Sequence, residues 1–178
     1  NGLMMAEERG EITRCDKYDD KYVFLTEYYR AECSIAEKLA EMIKRSDGGE
    51  VDFSQEIAGV ELEQGIRYEA LQREAINGCM NNHVFILTGG PGTGKTTTLN
   101  AVISLCRKRG LKMKLAAPTG RAAKGMADLT GAPAQTIHRL LEVDFSSKSH
   151  AFKRREDNPL TCDVLIVDEM SMVDTLLM

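Results

Sequence analysis

The apolar positions of the chain change period several times along its length. Residues 1–22 are polar and carry no periodic signal. From Val23 to Arg45 the spacing is helical, with Ile35, Leu39, Met42 and Ile43 on one face and Glu37, Lys38, Glu41 and Lys44 on the other. Ser46-Asp47-Gly48-Gly49 breaks the pattern. The stripe predicts a core-facing helix in a small helical N-terminal unit spanning 1–50. A second helical pattern over 67–80 places Leu71, Ala75, Ile76, Cys79 and Met80 together, and Asn81-Asn82 closes it. His83 to Thr88 is then almost continuously apolar, which predicts a strand buried on both faces. After a glycine-rich turn comes a helix with Leu99, Val102, Ile103 and Cys106 inward and Gly110 as its stop. Lys112 to Ala117 reads as a strand ended by Pro118, and Arg121–Leu129 and Thr136–Leu141 as short helices. Val164 to Val167 is a third buried strand. Strands alternating with helices predict an α/β fold with a parallel sheet over 51–178.

Composition narrows the class. At 43% apolar and 28% charged, the 178 residues have enough apolar content for a packed core, which excludes disordered and collagen-like chains. No apolar run approaches the ~20 residues of a membrane-spanning helix. The acidic stretch 1–10 lacks the apolar segment of a secretory signal, so a cytoplasmic location is expected. Five widely spaced cysteines without a C-x-x-C pair fit reduced thiols better than a zinc site or a disulfide framework. The net charge of −4 hides an asymmetry. Residues 1–82 carry 10 Lys and Arg against 18 Asp and Glu, whereas residues 83–178 carry 13 against 9. An acidic front and a mildly basic back suggest two units with different tasks.

The turn after the 83–88 run is Gly89-Gly90-Pro91-Gly92-Thr93-Gly94-Lys95-Thr96, a full match to G-x-x-x-x-G-K-[ST]. Glycines let backbone N–H groups turn inward around phosphate oxygens, and the helix that follows adds unpaired N–H groups and its dipole. Gly90, Pro91, Gly92, Thr93, Gly94, Lys95, Thr96 and Thr97 are the expected nucleotide-binding residues. Lys95 would reach the β- and γ-phosphates, and Thr96 would ligate Mg²⁺. Val164-Leu165-Ile166-Val167-Asp168-Glu169 ends a hydrophobic strand in two carboxylates, at the strand end where α/β proteins bind ligands. Asp168 is placed to hold Mg²⁺ through water, and Glu169 to orient and deprotonate an attacking water. Asp168-Glu169-Met170-Ser171 lacks the Asp-x-x-Gly of signalling GTPases, which favours ATP over GTP. Lys95, Asp168 and Glu169 are thus the expected catalytic set.

Three further segments extend the pattern: Ala117-Pro118-Thr119-Gly120-Arg121-Ala122-Ala123-Lys124, Thr136-Ile137-His138-Arg139-Leu140-Leu141, and Asp168 to Asp174. With the phosphate loop they resemble, in order, the early motifs of superfamily 1B DNA helicases of the RecD type, the exodeoxyribonuclease V alpha-subunit family. The resemblance runs from about Tyr22 to Met178. It implies a RecA-like P-loop NTPase motor that couples hydrolysis of ATP, with Mg²⁺, to 5′–3′ translocation on single-stranded DNA. It also implies partnership with other subunits of a recombination nuclease complex, and no membrane. Gln72 falls at the adenine-reading glutamine of that family. Thr119, Arg121 and Lys124 fall on its single-stranded DNA track, and Thr136 and His138 on its next DNA-proximal segment. Residues 143–155 fall where the family carries a strand-separating β-hairpin pin, here a short one.

Motors of this kind work between two RecA-like domains, the second supplying an arginine finger worth ~10³–10⁵ in rate in related phosphoryl transfer. No second domain precedes Met178. In the resembled fold, a strand after the Asp-Glu strand also inserts beside the phosphate-loop strand. An incomplete sheet and a fragment of a larger helicase, inactive or weak by itself, are therefore expected. Two alternatives stay open at this point: the helicase part of a conjugative relaxase, and a nucleotide-dependent DNA-binding module without unwinding.

Overall fold

A computed structural model describes residues 2–17, 20–45, 49–143 and 152–178. It falls into two units, Asn1–Asp47 with Val173–Met178, and Gly48–Met172. In the first unit, α1 (Gly2–Glu8) ends at Gly10, whose φ of +71° suits glycine, with hydrogen bonds returning to Glu7 and Ala6 carbonyls. Antiparallel strands β1 (Ile12–Lys17) and β2 (Asp20–Leu25) follow, in a register running from Ile12 opposite Leu25 to Lys17 opposite Asp20. Then comes α2 (Thr26–Lys44). The Thr13 and Thr26 hydroxyls meet at 3.0 Å, and Phe24 lies between the rings of Tyr22 and Tyr29.

Two expectations for this unit change. It is not purely helical, because 12–25 forms a hairpin and the long helix starts at Thr26 rather than Val23. Tyr22-Val23-Phe24 is aromatic and β-branched, and pairing with β1 captures it. The stripe expected to face a core is mostly uncovered: Ile35 and Leu39 are half-buried, while Met42 is 43% and Ile43 58% exposed. A two-stranded hairpin and a short helix offer too little apolar surface to cover a 19-residue helix along its length.

The second unit has an α-helical layer and a sheet that share one helix. α3 (Ser54–Gln64), α4 (Ala70–Asn81) and α5 (Lys95–Lys108) bury Phe53, Ile57, Val60, Tyr68, Ile76, Ala101, Val102, Leu105 and Cys106 in one cluster. The sheet is parallel, in the order β4-β3-β5, from β3 (Met113–Ala117), β4 (Ala134–Thr136) and β5 (Val164–Val167). Helix α6 (Gly120–Thr130) packs on it, and Ile103, Leu115, Met126 and Ala132 form a second cluster between α5, β3 and α6. A short helix, α7 (Ile137–Leu140), follows β4 directly. The α/β parallel class is therefore observed. Helix α3 and the three-residue β4 were not legible in the sequence. The first offers only Ile57 and Val60 as inward positions, and the second is too short to show alternation.

The expected strand at His83–Thr88 is not formed. Among the described residues no strand pairs with it, and Phe85 and Ile86 are 40% and 82% exposed. An apolar run becomes a strand only where a neighbour satisfies its N–H and C=O groups. In the region expected as a pin, 143–155, Val143 and Phe152 make one antiparallel bridge. The intervening 144–151 lie outside the described residues. The cysteines among the described residues are free, and burial beside Cys106 pushes the Cys79 thiol up to about 11. No helix among the described residues is long and apolar enough to cross a membrane.

Glu61 braces the α3–α4 connection. Its carboxylate accepts the Tyr68 N–H at 2.7 Å and pairs with the Arg73 guanidinium. The Tyr68 N–H is the larger influence holding this carboxyl below the ordinary 4.5, aided by Arg73 and opposed by burial. A depressed value stabilises the fold above the unfolded pKa, and that contribution disappears as pH falls through the folded one. Glu61→Gln is expected to flatten the fall in urea midpoint between about pH 5 and 3 relative to wild type. Parallel profiles would refute the brace. Ile76→Ala, at a fully buried site, is expected to cost about 2–5 kcal/mol by urea unfolding, and a loss under about 1 kcal/mol would contradict this packing.

Candidate active site

The loop 89–94 ends in the first turn of α5, whose geometry follows from its glycines. Gly92 and Gly94 take φ of +76° and +81°, in the left-handed region that side chains disfavour, and Gly94 is the N-cap of α5. A Cβ on Gly94 would also collide with the Gln72 amide. The opening N–H groups of α5 have no carbonyl one turn earlier, and its first turn holds no acidic residue. The positive end of this helix is therefore not offset by an acidic residue of its own first turn. Lys95 adds to it: its ammonium group donates to the carbonyls of Gly89 and Gly90 at 2.6 and 2.7 Å and sits over the loop. The Thr93 hydroxyl donates to the Gly90 carbonyl at 2.9 Å. Thr96 and Thr97 are exposed, whereas Thr98, one position on, is buried.

Gln72 is the sequence-expected residue that the fold brings to this loop from another element. Its Oε1 accepts the Glu69 N–H at 3.0 Å at the start of α4, and its Nε2 lies against Gly94. The capping contact fixes the side chain, and the packing of α4 on α5 sets where it points.

Chain direction gathers the remaining residues. Helix α5 turns back at Arg109–Lys112 into β3, so the loop end of the helix and the carboxyl end of β3 lie at one end of the unit. Because β5 is parallel to β3, Thr119 and Asp168–Glu169 follow their strands at that same end. The Asp168 N–H donates to Ala116 O at 3.0 Å, and its carboxylate accepts the Glu169 N–H at 2.9 Å. Glu169 has φ of +54°. Among the described residues only Glu142 shares a positive φ without being glycine. Such a conformation costs about 1–2 kcal/mol, and strained residues of this kind cluster at functional sites. Both carboxylates are exposed.

The expected nucleic-acid residues divide by how they are held. The Thr119 and Thr136 hydroxyls accept N–H bonds from Ala122 and Arg139, each at 3.2 Å, and so cap α6 and α7. Arg121 and Lys124 are exposed on the first turns of α6. His138 rests on Phe152 with ring centres 6.1 Å apart, and Phe152 is one member of the bridge to Val143. Sequence reasoning missed Lys114, Arg139, Glu142 and Arg154. They come together only through the strand register and the 143–152 bridge, and no linear spacing signals them.

Comparison with known proteins adds a separate line. A family model described as "AAA domain" matches residues 72–178. The ATP-dependent RecD2 DNA helicase of Deinococcus radiodurans is 41% identical over 107 residues, covering 60% of this chain and 14% of that protein. The RecBCD enzyme subunit RecD of Buchnera aphidicola is 32% identical, covering 94% of this chain and 30% of its own length. The RecD subunit of Mycolicibacterium smegmatis is 31% identical, covering 88% and 31%. The chain thus spans less than a third of the length of these relatives. The matched region begins at Gln72 and takes in the phosphate loop and the Asp168–Glu169 strand end, and on this basis the chain belongs to the AAA domain family.

Proposed function

We propose that the chain is the nucleotide-binding part of an ATP-dependent DNA helicase that moves 5′ to 3′ on single-stranded DNA. The carrying observation is the glycine loop at the amino end of α5, whose first turn holds no acidic residue, with the Lys95 ammonium held over it. The names of the relatives, a DNA helicase and subunits of RecBCD, support DNA as substrate and a multi-subunit complex as setting.

The fit to a nucleoside triphosphate rests on the donor set. N–H groups at a helix start, an ammonium group and glycines without Cβ suit a polyphosphate. A single carboxylate, Asp168, with the Thr96 hydroxyl suits Mg²⁺, which is held by few protein oxygens and completed by phosphate and water. Magnesium, when bound, offsets the charge that builds on the phosphate oxygens. The rest falls to the chain. Lys95 exchanges its carbonyl partners for phosphate oxygens, a stronger charge-assisted bond. Glu169 orients a water toward the γ-phosphorus and takes its proton as the bond to the leaving diphosphate oxygen breaks. Gln72 offers one donor and one acceptor to the adenine edge, through its Nε2 and the second lone pair of the Oε1 that accepts the Glu69 N–H. Thr119, Arg121, Lys124, Thr136 and His138 serve the nucleic-acid track, where contacts to phosphates position the strand without reading sequence.

Two variants test this reading. Lys95→Ala is expected to weaken binding of a fluorescent ATP analogue by at least about tenfold, as loss of a charged hydrogen-bond partner implies. Unchanged affinity would overturn the loop assignment. Glu169→Gln is expected to retain that binding while DNA-stimulated ATP turnover falls by about 10²–10⁴. Loss of binding instead would make Glu169 a structural residue.

A further inference from the structure

A second concentration of positive charge lies on the face of the sheet that α5 and α6 leave open. Met113, Leu115, Ala134 and Ile166 pack toward Ile103 and Met126. Residues alternate along a strand, and in-register neighbours share a face, so Lys114, Leu165 and Gln135 turn to the opposite side. There α7 and the segment 152–161 enclose a groove of about 420 Å³, lined by Lys114, Gln135, Arg139, Glu142, Arg154 and Thr161.

The charges in this groove do not balance. Glu142 already accepts from Arg154 twice, at 2.6 and 2.8 Å, and its backbone carbonyl accepts the Lys153 N–H. Arg154 reaches on to the Asn158 side chain. Lys114 and Arg139 have neither an ion pair nor a side-chain hydrogen bond among the described residues, and both are exposed. The Gln135 amide and Thr161 hydroxyl likewise have no side-chain hydrogen bond among them. Two unpaired cations in one concavity repel each other and concentrate field within it, and an anion removes both costs. Two positive groups and two neutral donors lining one groove suit a phosphate.

We infer that this groove binds the phosphodiester backbone of a single-stranded nucleic acid. The inference rests on the nucleic-acid reading above and adds to it a site that none of Thr119, Arg121, Lys124, Thr136 or His138 lines. A polyanion fits better than an isolated acid group because the two cations come from different elements, Lys114 from β3 and Arg139 from α7, so that each can meet its own phosphate. Lys114 lies three residues before Ala117, about 10 Å by strand rise, and Arg121 and Lys124 follow beyond that end.

The test is equilibrium binding of a labelled oligo-dT strand to the chain and to its Lys114→Gln/Arg139→Gln variant. Both positions are exposed, and circular dichroism melting verifies that the variant is folded. Affinity is expected to fall roughly tenfold or more at about 50 mM salt, and the slope of log K against log salt to shrink by about 1.4, or ~0.7 per phosphate lost. Binding of the fluorescent ATP analogue should not change. Unchanged oligonucleotide affinity and slope would overturn the groove while leaving the helicase reading intact. Failure of the unsubstituted chain to bind the oligonucleotide would overturn the nucleic-acid reading, this groove included. Loss of inorganic tripolyphosphate binding alone, with oligo-dT unaffected, would also overturn the assignment to nucleic acid.

Discussion

The placement of α5 is the constraint on which the second unit depends. Its amino end presents backbone N–H groups with no partner in the helix and no acidic side chain in its own first turn. Such an end is useful only if it cannot shift, and the helix is held from two sides. Ala101, Val102, Leu105 and Cys106 lock it to α3 and α4, while Ile103 locks it to β3 and α6. Val102, Ile103 and Leu105 each contribute about 1.5–3 kcal/mol by burial, so a shift of the helix must break several contacts together. The same packing brings Gln72 against Gly94 and forbids a side chain at that glycine. Loop composition and core packing are thus two parts of one requirement.

Parallel pairing sets the other half of the site. Because β5 runs beside β3 in register, Asp168 leaves the sheet at the level where Ala117 leads into Thr119. The turn after β5 is tight enough to put Glu169 at φ of +54°, with the Asp168 carboxylate accepting its N–H. That hydrogen bond offsets part of the strain and uses one carboxylate oxygen. The other oxygen, on an exposed side chain, stays free for water or a cation.

The parts of this arrangement that were legible in the sequence are those specified locally. The loop is dictated by its glycines, β3 and β5 by short apolar runs between breakers, and α5 by its helical period and Gly110. What failed was long-range. His83–Thr88 is as apolar as β5, yet β5 has β3 beside it, whereas 83–88 has no described neighbour. Apolarity reports the capacity for a buried strand, and pairing decides whether one forms. The hairpin 12–25 fails in the opposite sense: Arg14 and Asp16 conceal the Thr13 and Cys15 alternation, and pairing with Tyr22-Val23-Phe24 supplies what composition withholds. The Met42–Ile43 stripe was read as core on period alone, and its exposure shows that a helical moment identifies an apolar face without identifying what covers it.

Thr119 and Thr136 bring these strands together. Each was singled out as a candidate nucleic-acid contact, and each turns out to be an N-cap, which looks at first like a competing use of the same hydroxyl. The two uses do not compete. A cap engages the oxygen as an acceptor of a helix N–H, while a phosphate needs the hydroxyl as a donor. Capping also removes rotamer freedom, so the O–H is restricted to the directions the cap leaves open. The 11-residue helix that starts behind Thr119 adds unpaired N–H groups of the same polarity. A capping threonine at the carboxyl end of a parallel strand is therefore better prepared to hold a phosphate than a free one. His138 differs from both threonines: it caps no helix, and the contact its ring makes is with Phe152, at 6.1 Å between centres.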